Sequence, residues 1–255
     1  MDRLTIIKVG GKVVEDQQAL DLMLDQFRRI SGYKLLVHGG GTMATNLANQ
    51  LGVETTMVEG RRITSAAMLD VVTMVYGGLV NKRIVAGLQA RNCNALGMTG
   101  ADMSLVRTRK RPVQTIDYGF VGDVEEVNTR ELRLLLNENV VPVIAPVTHD
   151  GKGLLLNTNA DTMAAELAAD LAAFYNVFLF YCFEKRGVLL DPANDSSVIY
   201  ELDYLQFEDY KTQGIISSGM IPKLENAFMA KKRGVKEVLI TNAESIANGR
   251  GTRII

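Results

Sequence analysis

The 255-residue chain is predicted to fold as an α/β protein around a largely parallel sheet covered on both faces, with an antiparallel hairpin region in its middle. Three observations predict this. Short, continuously apolar runs recur and end near glycine, as strands buried on both faces do. Between them lie stretches whose apolar residues fall at helical spacing. Over residues 103–127 the pattern changes to alternating residues, with Arg and Lys at polar positions and the turn signals DYG and VGDV, which predicts hairpins on a sheet edge.

Residues 4–7 (LTII) open the chain as a strand. Leu20, Met23, Leu24, Phe27 and Ile30 then mark one face of a helix, and YKLLVHGGG supplies a second strand ending in glycine. Residues 140–147 (VVPVIAPV) and 176–183 (NVFLFYCF) read as later strands, DTMAAELAADLAA as the helix between them and VKEVLI as a late strand. Alternation of this kind joins parallel strands through helices. No repeat, low-complexity tract or Gly/Ser linker interrupts it, so two lobes packed together are expected, one over residues 1–172 and one over 173–255. Met57, Met68, Met74 and Met98 read as core.

Composition narrows the function. With 28 Lys+Arg against 29 Asp+Glu and a net charge of -1, the chain has no global basic footprint for nucleic acid. Cys93 and Cys182 are far apart and outside any C-x-x-C pair, which argues against a disulfide framework or zinc knuckle and fits a reduced, cytoplasmic location. The first residues lead straight into a strand with no basic and apolar leader pattern, so no signal peptide is expected. The longest mostly apolar run, residues 171–183, contains Asn176 and is short of the ~20 residues that span a bilayer, so no membrane association is expected. His38 and His149 are the only histidines, too few for a metal site or a triad, and His38 reads as a hydrogen-bonded strand-end residue.

Several stretches are candidates for chemistry. In KVGGKVV, Lys8 ends a buried-looking strand and precedes Gly10 and Gly11; a charge there is costly unless something uses it, and two glycines allow close backbone approach to a ligand. A lysine snorkelling at a sheet edge explains the stretch equally well. HGGGTMA follows a strand and precedes a helix, so its amides form an anion site. It also matches G-x-G-x-x-A, with Glu59 near the place of a ribose-binding acid, yet two glycine-rich strand ends facing one ligand fit phosphate chemistry better than one dinucleotide loop. GGK continues with Val13, so there is no Walker A motif.

In EGRRIT two arginines precede a helix beginning near Ser65; arginine is the bidentate partner of carboxylates, although loop arginines are most often solvated surface. In LNTNAD, Asn157, Asn159 and Asp161 alternate along a strand end toward one crevice, with Asn159 suited to cap the following helix and Asp161 placed to hold nearby lysines. In SSGMIPK, Pro222 starts a helix and Lys223 sits in its first turn, where its charge opposes the macrodipole and a bound anion would remove the conflict.

Taken in order, Lys8 with its glycines, VHGGG, V-x-G-x-R-x-T (58–64), G-x-V-N-K (78–82), N-x-N-A-D (157–161) and GMIPK (219–223) resemble the amino-acid kinase family over essentially the whole chain. Within that family they are most similar to the members that phosphorylate an N-acylated glutamate. The resemblance implies an open three-layer αβα sandwich whose N-terminal lobe binds the acylated amino acid and whose C-terminal lobe binds ATP, with Mg²⁺ carried on the ATP phosphates. It implies transfer of the γ-phosphoryl group to the substrate γ-carboxylate, a step of arginine biosynthesis. By the same match Lys8 and Lys223 stabilise the transferring group, Asp161 holds both lysines, and the amides of Gly10, Gly11, Gly40 and Gly41 add donors. Arg62, not Arg61, holds the motif position and with Asn157 clamps the substrate α-carboxylate, with Asn159 beside them.

The chain departs from the family at GGGTMA, where members usually read GGGPQI, and at CFEKRG (182–187), where a nucleotide-lobe strand usually ends L-T-D-V-x-G. The C-terminal stretch before the final GT is also short. The first departure leaves open an acyl group larger or more charged than acetyl, such as succinyl, and the second leaves the adenosine contacts open. Starting at its first strand, the chain is expected to form a homodimer without arginine feedback. A sibling kinase acting on carbamate, aspartate, glutamate or UMP, and a silent ligand-binding protein on the same fold, are the competing readings.

Overall fold

The computed structural model describes residues 1–255 apart from Glu59, Ser217 and Ser218. The acid considered at position 59 and the serines that open the last motif therefore lie outside the described residues. An eight-stranded sheet forms the centre, in the spatial order Glu201–Leu202, Thr252–Ile254, Glu237–Asn242, Asn176–Phe183, Arg3–Val9, Tyr33–His38, Val141–Ala145 and Ala95–Thr99. Its pairings are parallel except between Glu237–Asn242 and Thr252–Ile254. Strands from before residue 172 make one half of the sheet and strands after it the other, joined where Arg3–Val9 runs in register with Asn176–Phe183.

Period-two alternation divides each central strand between two cores. Leu4 and Ile6 face the core that includes the helices Ala160–Leu171 and Ile221–Lys232, whereas Ile7 and Val9 face the helices Gln17–Arg29, Gly41–Gln50 and Ala66–Gln89. The result is the three-layer αβα sandwich that the sequence led us to expect. Lys8 shares the even-numbered face with Leu4 and Ile6, so its side chain emerges under Ala160–Leu171.

The hairpin of residues 103–127 exists, as Val106–Lys110 against Gly122–Val127, but it does not sit on the edge of the main sheet. It belongs to a separate four-stranded sheet with Val147–His149 and Leu155–Asn157. The apolar run 140–147 divides at Pro146, which has no N–H to donate. Val141–Ala145 stays in the main sheet and Val147–His149 crosses to the second. Met68 and Met98 are core as expected; Met57 and Met74 are half exposed, the first on a two-stranded ribbon and the second on the outer side of a helix.

The helix Ala66–Gln89 is α-helical at both ends and π-helical over Thr73–Val80. By length and composition it is apolar enough to cross a membrane, but Val72, Val80, Ile84 and Leu88 are buried against the sheet, as in a core helix. Its one fully buried carboxamide, Asn81, donates to the Val143 carbonyl at 2.9 Å and pairs with His38 Nε2 at 3.1 Å. Gly97 on the edge strand leaves room for this: a Cβ there would lie 2.0 Å from Asn81 Oδ1 and 2.8 Å from Lys82 Nζ. Gly97→Ala is expected to lower unfolding stability by about 1–3 kcal/mol, checked by urea denaturation against a Gly78→Ala control, whose site has open space around it and no left-handed backbone.

Candidate active site

Parallel sheets bind ligands outside the carboxyl ends of their strands, and the motif residues gather there. Gly10 donates its N–H to the Cys182 carbonyl at 2.9 Å and Gly39 donates to Val9 at 3.1 Å, so both glycine turns extend the ladders of the central strands. The two turns lie against each other: a Cβ on Gly11 would meet the Gly41 nitrogen at 3.4 Å, and one on Gly40 would press on the Tyr76 ring at 3.0 Å. A side chain at Gly40 would have to displace the Tyr76 ring, whereas one at Gly11 would make ordinary van der Waals contact.

Asn159 caps the helix Ala160–Leu171 by accepting from the Thr162 N–H at 3.0 Å, which sets Asp161 in the first turn. Asp161 Oδ1 receives Lys8 Nζ at 2.8 Å and Lys223 Nζ at 2.9 Å. Lys223 stands in the first turn of Ile221–Lys232, where Asp161 supplies the anion that its position calls for. Both lysines are buried, 7% and 8% exposed, so two ammonium groups and one carboxylate leave one surplus positive charge in a poorly solvated place. Burial alone would raise the Asp161 pKa, but Lys223 and Lys8 outweigh it and hold the carboxyl well below the usual carboxylate range. Burial pushes Lys223 down, against the pull of Asp161.

Two cavities meet at this triad. The larger, about 410 Å³, runs past Gly10, Gly11, Lys12 and Lys223 to an apolar wall that includes Val188, Leu189, Pro192 and Met220. The smaller, about 180 Å³, is lined by Lys8, Gly39, Gly40, Gly41, Arg62, Tyr76, Asn157 and Asn159. Gly11 borders both. The departing segment contributes Phe183, Glu184 and Lys185 to the larger cavity.

Arg62 is 8% exposed, and its Nη2 donates to the Gly41 carbonyl and to Thr45 Oγ1, both at 2.8 Å. Among the described residues no carboxylate lies within ion-pair distance of it. A buried guanidinium without a counter-charge at a cavity wall is suited to an anionic ligand. Asn157 donates to Thr64 Oγ1 at 3.0 Å, tying the second sheet to the arginine strand. Every site residue that the sequence suggested thus borders one of the two cavities or belongs to the triad.

His38 is the hydrogen-bonded strand-end residue that the sequence suggests, and its buried partner Asn81 is what the sequence reading missed. His38 is fully buried; its Nδ1 donates to the Gly39 carbonyl at 2.9 Å, because Nε2 is the acceptor facing the Asn81 amide. A carboxamide inside an apolar helical run was the signal. Tyr76 was also missed, since an aromatic in that run reads as core.

The amino acid kinase family model matches residues 3–242. A protein from Parabacteroides distasonis named acetylglutamate kinase is 60% identical over 254 residues, covering all of both chains. One of the same name from Bacteroides thetaiotaomicron is 60% identical, covering 99% of this chain and 98% of its own. Among solved structures, smu.665 from Streptococcus mutans is 27% identical with a TM-score of 0.80, covering 98% of each chain. The chain belongs to the amino acid kinase family.

Burial lowers the His38 pKa to about 4. The unfolded chain takes up this proton near 6.5 and the folded protein only near 4, so the stability contribution is complete above pH 6.5 and lost as pH falls to 4. The unfolding free energy of the wild type relative to His38→Gln should fall by up to about 3 kcal/mol across that window. Parallel pH profiles of the two proteins by chemical denaturation would contradict this.

Proposed function

We propose that the protein catalyses the ATP-dependent phosphorylation of the γ-carboxylate of N-acetyl-L-glutamate, in arginine biosynthesis. The observation that carries this reading is the meeting of two cavities at Lys8, Asp161 and Lys223. One cavity has an apolar wall for a base and glycine amides for phosphates; the other has a buried arginine for a carboxylate. The full-length similarity to proteins named acetylglutamate kinase supports the choice of substrate.

The chemistry follows from the charges. A carboxylate nucleophile is already ionised at neutral pH, so no general base is required. Phosphoryl transfer needs positioning and stabilisation of charge on the equatorial oxygens. Lys8 reaches the transferring group from the acceptor side and Lys223 from the nucleotide side, while Asp161 keeps the two ammonium groups together until the phosphoryl group arrives. The amides of Gly10 and Gly11 donate to the phosphates, and those of Gly40 and Gly41 to the reacting end of the acceptor. Arg62 and Asn157 hold the substrate α-carboxylate, with Asn159 at the same wall. Residues 1–172 act as the acceptor lobe and 173–255 as the nucleotide lobe.

Among the described residues no three His, Cys, Asp or Glu side chains converge as a metal site, and Asp161 Oδ1 is taken by both lysines. The described residues thus do not fit a resident Mg²⁺, which would enter on the ATP phosphates. The strand Ala95–Thr99 ends the sheet with an open edge, and Leu96 on it and Met74 and Leu79 on the long helix are exposed; this supports a homodimer formed through that edge and the long helix.

One observation favours an acyl group with a distal carboxylate, such as succinyl. Arg61 borders the acceptor cavity and also a cleft of about 420 Å³ that includes Arg109 and Arg111. Arg111 is ion-paired with Asp123, whereas Arg61 has no such partner among the described residues. A carbamate or UMP acceptor would leave Arg62 without its α-carboxylate, and a silent binder would have no use for two lysines on one carboxylate.

The test is ATP-dependent acyl-hydroxamate formation with N-acetyl- and N-succinyl-L-glutamate side by side; no product from either would overturn the reading. Lys8→Ala and Lys223→Ala should each lower kcat by about 10²–10³-fold with little change in substrate KM. Arg62→Ala should chiefly raise the acceptor KM, by about tenfold or more. Near-normal turnover in both lysine variants would remove their charge-stabilising roles.

A further inference from the structure

Lys12 has no part in the mechanism above. It follows the Gly10–Gly11 turn, and its Nζ lies 2.7 Å from Glu184 Oε1. The two residues are 172 positions apart and come from opposite halves of the sheet, Lys12 after Arg3–Val9 and Glu184 after Asn176–Phe183. Both border the larger cavity, beside the Gly10–Gly11 turn, and Lys223 lines the same cavity.

The three lysines of this cavity differ in how they are held. Lys223 is buried on Asp161, and Lys185 is paired with Asp195 outside the cavity lining. The Lys12 side chain is 73% exposed and, among the described residues, anchored only by Glu184, itself 42% exposed. An exposed pair of this kind is weak and exchanges readily. A polyphosphate beside it offers the ammonium a stronger anion.

We propose that Lys12 is a nucleotide-phosphate ligand that Glu184 occupies until nucleotide binds, so that the two anions compete for one ammonium group. The inference rests on the assignment of the larger cavity to ATP. Glu184 acts through Lys12 as a positioning residue: it keeps the ammonium at the cavity mouth and also weakens nucleotide binding by the strength of the pair that must break. The departure at CFEKRG then becomes a device that sets nucleotide affinity.

The experiment measures Kd for AMP-PNP by calorimetry on the full chain, as wild type, Lys12→Met, Glu184→Gln and the double variant. Lys12→Met should weaken binding by about three- to tenfold and Glu184→Gln should tighten it by about two- to fivefold. With Met at position 12, the tightening from Glu184→Gln should drop by at least half, because the pair no longer exists. Equal tightening in both backgrounds would mean that Glu184 only repels phosphate, and would overturn the exchange. An unchanged Kd in Lys12→Met would remove Lys12 from the phosphate site. Wild type that binds no AMP-PNP would instead overturn the assignment of the cavity. Circular dichroism of each variant distinguishes a lost contact from a lost fold.

Discussion

Two lysines share one carboxylate oxygen, and the rest of the site is arranged around that constraint. Lys8 and Lys223 could not both be buried without Asp161, since each would carry an uncompensated charge out of water. Asp161 in turn needs its place in the first turn of a helix, which the Asn159 cap fixes. Because one carboxylate meets two ammonium groups, the centre remains cationic. It is held together by a negative charge and still attracts another, which suits a group that arrives, changes hands and leaves.

The sheet makes this possible. Parallel strands all end on one side, and the strand order brings Arg3–Val9 between Tyr33–His38 and Asn176–Phe183. The glycine turns after the first two therefore stand side by side, and the cavities open on either side of them. Buried polar bonds hold the arrangement from below: Asn81 fixes His38, and His38 fixes the carbonyl of Gly39. Arg62 reaches the same loop from the side through the Gly41 carbonyl. Hydrogen bonds thus tie the acceptor loop to the arginine and to the long helix.

Much of this was legible in the sequence for local reasons. A lysine ending an apolar strand, an asparagine before an Ala-rich helix and a proline opening a late helix each have a physical meaning at short range, and each stands where it was expected. The antiparallel hairpin was legible too, but not its separate sheet, because a proline within an apolar run does not say to which sheet the next residues cross. Met57 and Met74 misled because apolar character does not distinguish a core face from a ribbon or an outer helix face. The Lys12–Glu184 pair was invisible for another reason: it joins residues far apart in the chain, and only the folded sheet brings them together.

If the surplus charge at the junction serves the transferring phosphoryl group, it should matter more to a transition-state mimic than to either substrate. The decisive measurement is the affinity of ADP with aluminium fluoride in the presence of N-acetyl-L-glutamate, for wild type and Lys8→Met, beside the affinities for AMP-PNP and the acceptor alone. The account predicts that Lys8→Met loses about a hundredfold or more in affinity for the mimic and changes the two ground-state affinities by less than about threefold. Equal losses for mimic and substrates would contradict it, and would make Lys8 a binding residue only.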